Sequence, residues 1–259
     1  MSAAPMLAAD GLSVRLDRAP IVKEASLALQ GGQFTALVGP NGAGKTTLIR
    51  ALAGLIPASG IIMLDGMGLS TFSPRERARR IAYLPQGNTF HWPMPVEQIV
   101  ALGRYPHGDP FAPPTEADRM AVAHAMEITG IRDFLHRPVT HLSGGERARV
   151  ALARALATEA KVLLADEPTM SLDPRHQLTV MDLLRDQARK GSAVLAVVHD
   201  LALAARYADR VITIQEGRVS ADARPQDALN AERIASVFGV EATIIEFDKS
   251  RIPVARRAL

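Results

Sequence analysis

Phe34-Thr35-Ala36-Leu37-Val38-Gly39-Pro40-Asn41-Gly42-Ala43-Gly44-Lys45-Thr46-Thr47 is the stretch on which the fold turns. It begins as a β-prone apolar run, and Gly39 to Thr46 then fits G-x-x-x-x-G-K-[ST]. Thr46 to Leu55 follows helical spacing, with Leu48, Leu52 and Leu55 on one face. A strand feeding a glycine-rich turn that opens a helix is the setting this pattern requires. Gly42 and Gly44 let backbone N–H groups turn inward and approach phosphate oxygens. The helix aims its positive end at the same anion. Lys45 reaches the β- and γ-phosphates as a compact cation, and the Thr46 hydroxyl is a ligand for Mg²⁺. Gly39, Pro40, Asn41, Gly42, Ala43, Gly44, Lys45, Thr46 and Thr47 are therefore the expected nucleotide cradle. No N-K-x-D motif accompanies them, which argues against GTP selectivity of the Ras type.

Outward from the cradle, short β-type runs alternate with helical patterns, the signature of a mainly parallel α/β sheet. Ile61–Leu64 reads as a strand ending at the turn pair Asp65-Gly66. Ser73-Pro74-Arg75-Glu76 reads as a capping box with proline at the first helical position. Ile81–Leu84 is the next strand. From Gln86 to about Ala160 no strand is expected. Prolines at 93, 95, 106, 110, 113 and 114 break the chain, and helical patterns follow near Val96–Leu102, Glu116–Thr129 and Glu146–Ala157. This stretch reads as an inserted helical sub-domain.

The α/β pattern resumes with the strand Val162–Ala165. A helix from Pro174 follows, with Leu178, Met181 and Leu184 inward and Gly191 just past its end. Ala193–Val198 and Val211–Ile214 are further strands. The expected organisation is a single domain over 1–259. Its nucleotide-binding core is made of 1–86 and 161–247, its helical sub-domain is 87–160, and 248–259 is a loose basic tail. The N-terminal part contributes an antiparallel β region to this P-loop, RecA-like α/β core.

Val162-Leu163-Leu164-Ala165-Asp166-Glu167 is an apolar strand that ends in two carboxylates. A buried parallel strand delivers its C-terminal end to the ligand crevice. Asp166 is therefore expected in the Mg²⁺ shell, and Glu167 as the base that orients and activates the attacking water. Acids after a strand also open ordinary polar loops; the upstream cradle is what favours the catalytic reading.

Composition narrows the alternatives. The chain has 259 residues, ample for a sizeable core, and is 47% hydrophobic and 22% charged, as globular domains are. It contains no cysteine, which excludes disulfides and thiolate metal sites and fits a reducing compartment. A net charge of +3, scattered rather than gathered in a stripe, does not support a nucleic-acid partner. Met1 to Asp10 makes a poor signal peptide, and no apolar run reaches the ~18 residues that span a bilayer. A membrane role would need a second chain to provide the spanning part. His91, His107, His136 and His141 form no recognised metal motif.

Four further motifs carry a resemblance to a family. Leu142-Ser143-Gly144-Gly145-Glu146 looks like the signature sequence of ABC ATPases. Ser171-Leu172-Asp173 resembles the loop that follows their acidic pair, His199 their switch histidine, and Gln86 the glutamine of their Q-loop. Order and spacing match along nearly the whole chain. Ser143 and Glu146 also form a second capping box on their own reading, so a helix starts at Gly144 and offers another anion site at its end. One chain holds one cradle and one signature. The resemblance implies that two copies pack head to tail, so that Ser143, Gly144 and Gly145 of one cover the ATP on Lys45 of the other. It also implies that His199 contacts the γ-phosphate, that Gln86 senses Mg²⁺ and the water, and that Asp173 helps order the opposite site. The chain departs from the family in the first strand region, where the usual adenine-stacking aromatic is replaced by Leu16 in Leu12-Ser13-Val14-Arg15-Leu16-Asp17-Arg18.

Family members that act on DNA or the ribosome carry coiled coils, zinc-binding cysteines or two fused nucleotide domains, and this sequence has none. A transporter subunit is the simpler expectation, with the non-transport ATPase as its alternative. A free-standing P-loop kinase is disfavoured by the signature at Ser143. Asn88-Thr89-Phe90-His91-Trp92-Pro93-Met94-Pro95 either packs on the helical sub-domain or forms an apolar groove for a partner helix. In ABC importers that region receives a helix of the membrane subunit. Val100-Ala101-Leu102-Gly103-Arg104-Tyr105-Pro106-His107 resembles the matching segment of importers for iron–siderophore complexes, haem and vitamin B12. The resemblance thus implies a homodimer on the cytoplasmic face of the cell membrane. It contacts membrane permease subunits through Gln86–Pro95 and serves a substrate-binding protein indirectly.

Overall fold

The computed structural model describes residues 4–87, 90–109, 112–247 and 250–259. Of the positions singled out above, Met1, Asn88, Thr89, Pro110 and Asp248 lie outside them. Along the chain run β1 (Leu7–Leu16), β2 (Ala19–Leu29), β3 (Phe34–Val38), α1 (Lys45–Leu52), β4 (Ser59–Leu64), β5 (Met67–Gly68), α2 (Pro74–Arg80) and β6 (Ile81–Leu84). Three helices follow: α3 (Val96–Ala101), α4 (Glu116–Ile128) and α5 (Gly144–Leu156). Then come β7 (Val162–Ala165), α6 (Pro174–Arg189), β8 (Ala193–Val197), α7 (Leu201–Tyr207), β9 (Arg210–Gln215) and β10 (Arg218–Ala223). The chain closes with α8 (Pro225–Ala228), α9 (Ala231–Phe238), β11 (Val240–Phe247) and β12 (Ser250–Ala258).

The central sheet has the order β10-β9-β3-β8-β7-β6, and β9, β3, β8, β7 and β6 run parallel. Alternation along its strands feeds two cores. Phe34, Ala36, Val38, Leu163, Val194 and Ala196 face Met181, Leu184 and Tyr207 of the helices on one side. Leu37, Leu164, Leu195, Val197 and Ile212 face α1 and the antiparallel sheet β2-β1-β4-β5 on the other. A sheet covered on both faces reads as near-continuous apolar runs, which is why β3, β7 and β8 were legible as strands. Helices α3, α4 and α5 build a separate core from Val96, Ile99, Met126, Ile131, Val139, Val150 and Ala153.

Three expectations need correction. Leu55 does not share the inward face of α1: the helix ends at Leu52, and Leu55 is 57% exposed. Leu178 is half-exposed on α6, where Val180 takes the inward place beside Met181 and Leu184. The loose tail expected over 248–259 is overturned in its described part, 250–259, because Ser250–Ala258 forms β12, paired antiparallel with β11. Pro253 lies opposite Ile244 and is buried, Ala242 and Ile244 pack on the main core, and arginines take the outer positions. A two-stranded ribbon tolerates a proline that an interior strand would not.

Candidate nucleotide site

Parallel strands place four turns at one edge of the sheet: after β3, β6, β7 and β8. Every catalytic candidate except the signature and the Asp173 loop sits there, where ligands of such sheets bind.

The turn after β3 is the glycine cradle. Gly44 caps α1 in the left-handed region at φ 99°, and a β-carbon there would lie 2.9 Å from the Ile21 carbonyl oxygen. At Gly39 a β-carbon would press to 2.1 Å from the Ile214 oxygen, so close backbone approach excludes any side chain. The Lys45 ammonium folds back over the loop and donates to the carbonyls of Gly39 (2.8 Å) and Pro40 (2.9 Å). Burial pushes its pKa down, against the pull of Glu167 and Asp166. This is a desolvated cation held by the loop's own carbonyls. Asn41 and Gly42 are exposed at the tip, and Thr46 and Thr47 are half-buried in the first turn.

The turn after β7 carries the acids. Asp166 is fully buried, and its backbone N–H donates to Leu84 O at 2.8 Å, extending the ladder to β6. Its Oδ1 accepts the Thr46 hydroxyl at 3.1 Å, bringing together two residues 120 apart in sequence. Burial pushes the Asp166 carboxyl above its ordinary pKa. The Thr46 hydrogen bond opposes the shift, and the charge of Glu167 adds to it. A buried carboxylate with so little compensation, set against a hydroxyl at a helix N-terminus, suits a hard cation with oxygen ligands.

Glu167 has a left-handed backbone, φ 53°, unusual for a side chain of its size. That turn brings its carboxylate between two other strand ends. Oε2 accepts Gln86 Nε2 at 2.9 Å, and Oε1 lies 2.7 Å from His199 Nε2. Gln86, Glu167 and His199 thus meet in one cluster beside Asp166 and Thr46. The arrangement can orient a water molecule and take its proton.

Ser143, Gly144 and Gly145 stand apart from this cluster. Ser143 caps α5: Glu146 N donates to Ser143 Oγ at 3.3 Å, and Ser143 N donates to Glu146 Oε2 at 2.7 Å. Glu146 is held below its ordinary pKa by the Ser143 backbone N–H and then by the hydroxyl. The Ser143 hydroxyl thus accepts one bond in the cap and turns its proton toward the Glu146 carboxylate. Among the described residues no hydrogen bond joins Ser143–Gly145 to the cradle. Asp173 caps α6 through His176 N at 3.0 Å. Leu16 is exposed, at the tip of the β1–β2 hairpin whose turn residues Asp17 and Arg18 both have positive φ.

Two neighbours escaped the sequence reading. The Tyr83 hydroxyl donates to Asp166 Oδ2 and accepts from Arg50 Nε, both at 3.4 Å. Their only sequence signal was position, Arg50 one turn along α1 and Tyr83 three residues before Gln86.

A family model described as ABC transporter matches residues 22–170. The Hemin import ATP-binding protein HmuV of Rhodococcus jostii is 44% identical over 246 residues, covering 95% of this chain and 84% of that protein. The Cobalamin import ATP-binding protein BtuD of Halobacterium salinarum is 42% identical over 236 residues, covering 90% of this chain and 59% of that protein. Among solved structures, an inward-facing conformation of a putative metal-chelate type ABC transporter matches with a TM-score of 0.84 and 25% identity, covering 98% of both chains.

Proposed function

The chain belongs to the ABC transporter family, and from that premise we propose that it hydrolyses ATP to energise import of an iron chelate (haem or a ferric siderophore) or of vitamin B12. The observation that carries the catalytic part is the Gln86–Glu167–His199 cluster at the sheet edge beside Lys45, Thr46 and Asp166. Relatives whose names are hemin and cobalamin import proteins support the cargo class.

ATP binds through residues 39–47. Lys45 gives up its carbonyl contacts and receives the terminal phosphates. Thr46 and Asp166 would hold Mg²⁺, which when bound supplies charge neutralisation for the phosphate oxygens; Gln86 completes that side of the site. Glu167, oriented by Gln86 and His199, accepts the proton of the attacking water. His199 contacts the γ-phosphate. The remaining donors come from a second copy, whose Ser143, Gly144 and Gly145 cover the phosphates while its Asp173 orders the loop between them. Hydrolysis therefore depends on association.

The membrane subunit docks on 86–95. Trp92 is 73% exposed there, while Phe90 and Met94 are half-buried against the cores beneath. Trp92 is thus free for a partner, and its two neighbours anchor the loop that presents it. No described helix is long and apolar enough to cross a membrane; the chain acts as a peripheral subunit, on the cytoplasmic face where ATP is available. The test is uptake after removal of this gene, with ferric siderophores, haem and cobalamin as separate cargoes. Loss of uptake for one of them, restored by the native chain, is expected. Unchanged uptake of all three would refute the cargo assignment.

A further inference from the structure

His176 joins two elements that sequence reading kept apart. It lies in the first turn of α6, three residues after Asp173. Its backbone N–H donates to Asp173 Oδ1 at 3.0 Å, and its ring Nδ1 lies 2.7 Å from Asp173 Oδ2. Both carboxylate oxygens of Asp173 are therefore held by one residue. The carboxyl sits below its ordinary pKa, chiefly through the His176 backbone N–H and then the ring. An ionised carboxylate only accepts, so Nδ1 carries the proton of this bond.

The same ring lies over the N-terminus of α5. A β-carbon added at Gly145 would meet His176 Nδ1 at 3.5 Å and Cγ and Cε1 at 3.8 Å. Gly145 belongs to the helical sub-domain and Asp173 to the loop after the acidic pair. Beyond the ring, a polar cleft is lined by Glu127, Arg149, Arg175 and Thr179. Arg149 is committed to the Gly130 carbonyl at 2.8 Å.

We propose that His176 is a positioning residue for hydrolysis. It pins Asp173 against the signature end of α5, so both are presented to the second copy as one surface. The inference rests on the two-copy reading above, because only there do Ser143–Gly145 and Asp173 serve the same opposite site. Without the pin, the aspartate loop and the signature helix adjust separately, and the donors reach the neighbouring nucleotide out of register. Misplacement of about 1 Å at a reacting centre costs up to ~100-fold in rate.

Three variants test this in the full chain, with steady-state ATPase and calorimetric ATP binding. His176→Ala should lower kcat by roughly 10- to 100-fold while leaving ATP affinity unchanged, since the cradle lies elsewhere. His176→Asn places an amide N–H where Nδ1 stood and should recover most of the loss. His176→Phe keeps a flat ring over Gly145 without the donor and should not. Wild-type kcat in the alanine variant overturns the inference. So does a phenylalanine variant as active as the asparagine one, or a parallel loss of ATP affinity. The underlying reading fails differently: Glu167→Gln protein with native His176 would stay monomeric when ATP is added, taking the inference with it. ATP-driven dimerisation together with an unaffected His176→Ala turnover overturns the inference alone.

Discussion

Glu167→Gln changes one atom type at the centre of the catalytic cluster. The carboxylate now accepts from Gln86 at 2.9 Å and faces His199 Nε2 at 2.7 Å. The amide is isosteric, so its oxygen can keep His199 while its NH₂ meets Gln86, whose own amide turns over to present an oxygen. A charge-assisted bond worth about 1.5–3 kcal/mol becomes a neutral one of about 1 kcal/mol, a change of roughly 0.5–2 kcal/mol at a half-buried site. Folding and the cradle are therefore preserved. What disappears is the proposed proton acceptor. General-base catalysis contributes typically ~10²–10⁴-fold, or about 2.7–5.4 kcal/mol of barrier at ~1.36 kcal/mol per decade. A phosphate-release assay should show kcat reduced by that factor, with ATP affinity within about twofold of the parent. Size-exclusion chromatography should show an ATP-dependent dimer that persists because hydrolysis no longer reopens it. Turnover within tenfold of the parent would remove Glu167 from proton transfer, and lost ATP affinity would show that the side chain acts on binding instead.

Lys45→Ala removes the cation folded onto the cradle carbonyls and should weaken ATP binding itself; unchanged affinity in a calorimetric titration contradicts the cradle. Asp166→Asn should make the nucleotide-free protein more stable at neutral pH. Burial raises the Asp166 pKa, so in the parent this group's stabilisation is complete below the ordinary aspartate range and lost as pH rises through the raised value. The Tm gain of the asparagine variant should therefore shrink on acidification, while its Mg²⁺-dependent turnover is lost; a lower Tm at neutral pH refutes the cause given for the shift. Trp92→Ala removes a side chain that buries little in the isolated chain, so soluble ATPase and Tm should hold while co-purification with the membrane subunit falls. Equal recovery of that subunit would put Trp92 outside the docking surface.

What was legible in the sequence was local and apolar. Phe34–Val38, Val162–Ala165 and Ala193–Val198 announce buried parallel strands because both faces of their sheet are covered. Ser73-Pro74-Arg75-Glu76 and Leu142–Glu146 announce capping boxes because the partners lie three residues apart, and both boxes are formed. Contacts at long range were not legible as chemistry. Gln86, Glu167 and His199 are separated by 81 and 32 residues, and only family resemblance placed them together before the sheet did. Tyr83 and His176 resemble ordinary strand and helix residues until Asp166 and Asp173 are brought beside them. The C-terminal ribbon was hidden because Pro253 and clustered arginines mimic an unstructured tail, whereas its inner face docks through Val240, Ala242 and Ile244, with Pro253 buried opposite Ile244. Trp92 in a proline-rich loop could face either way, because sequence does not tell a core indole from an exposed one.

A structure of Glu167→Gln protein with ATP bound would examine the shared site head-on. Ser143 Oγ of one copy should sit about 3 Å, a hydrogen-bond length, from a γ-phosphate oxygen of the nucleotide on the other copy's Lys45. Nucleotide held by Lys45 with Ser143 far from every phosphate, in each assembly the protein forms, would contradict the proposal that two copies complete one another's sites.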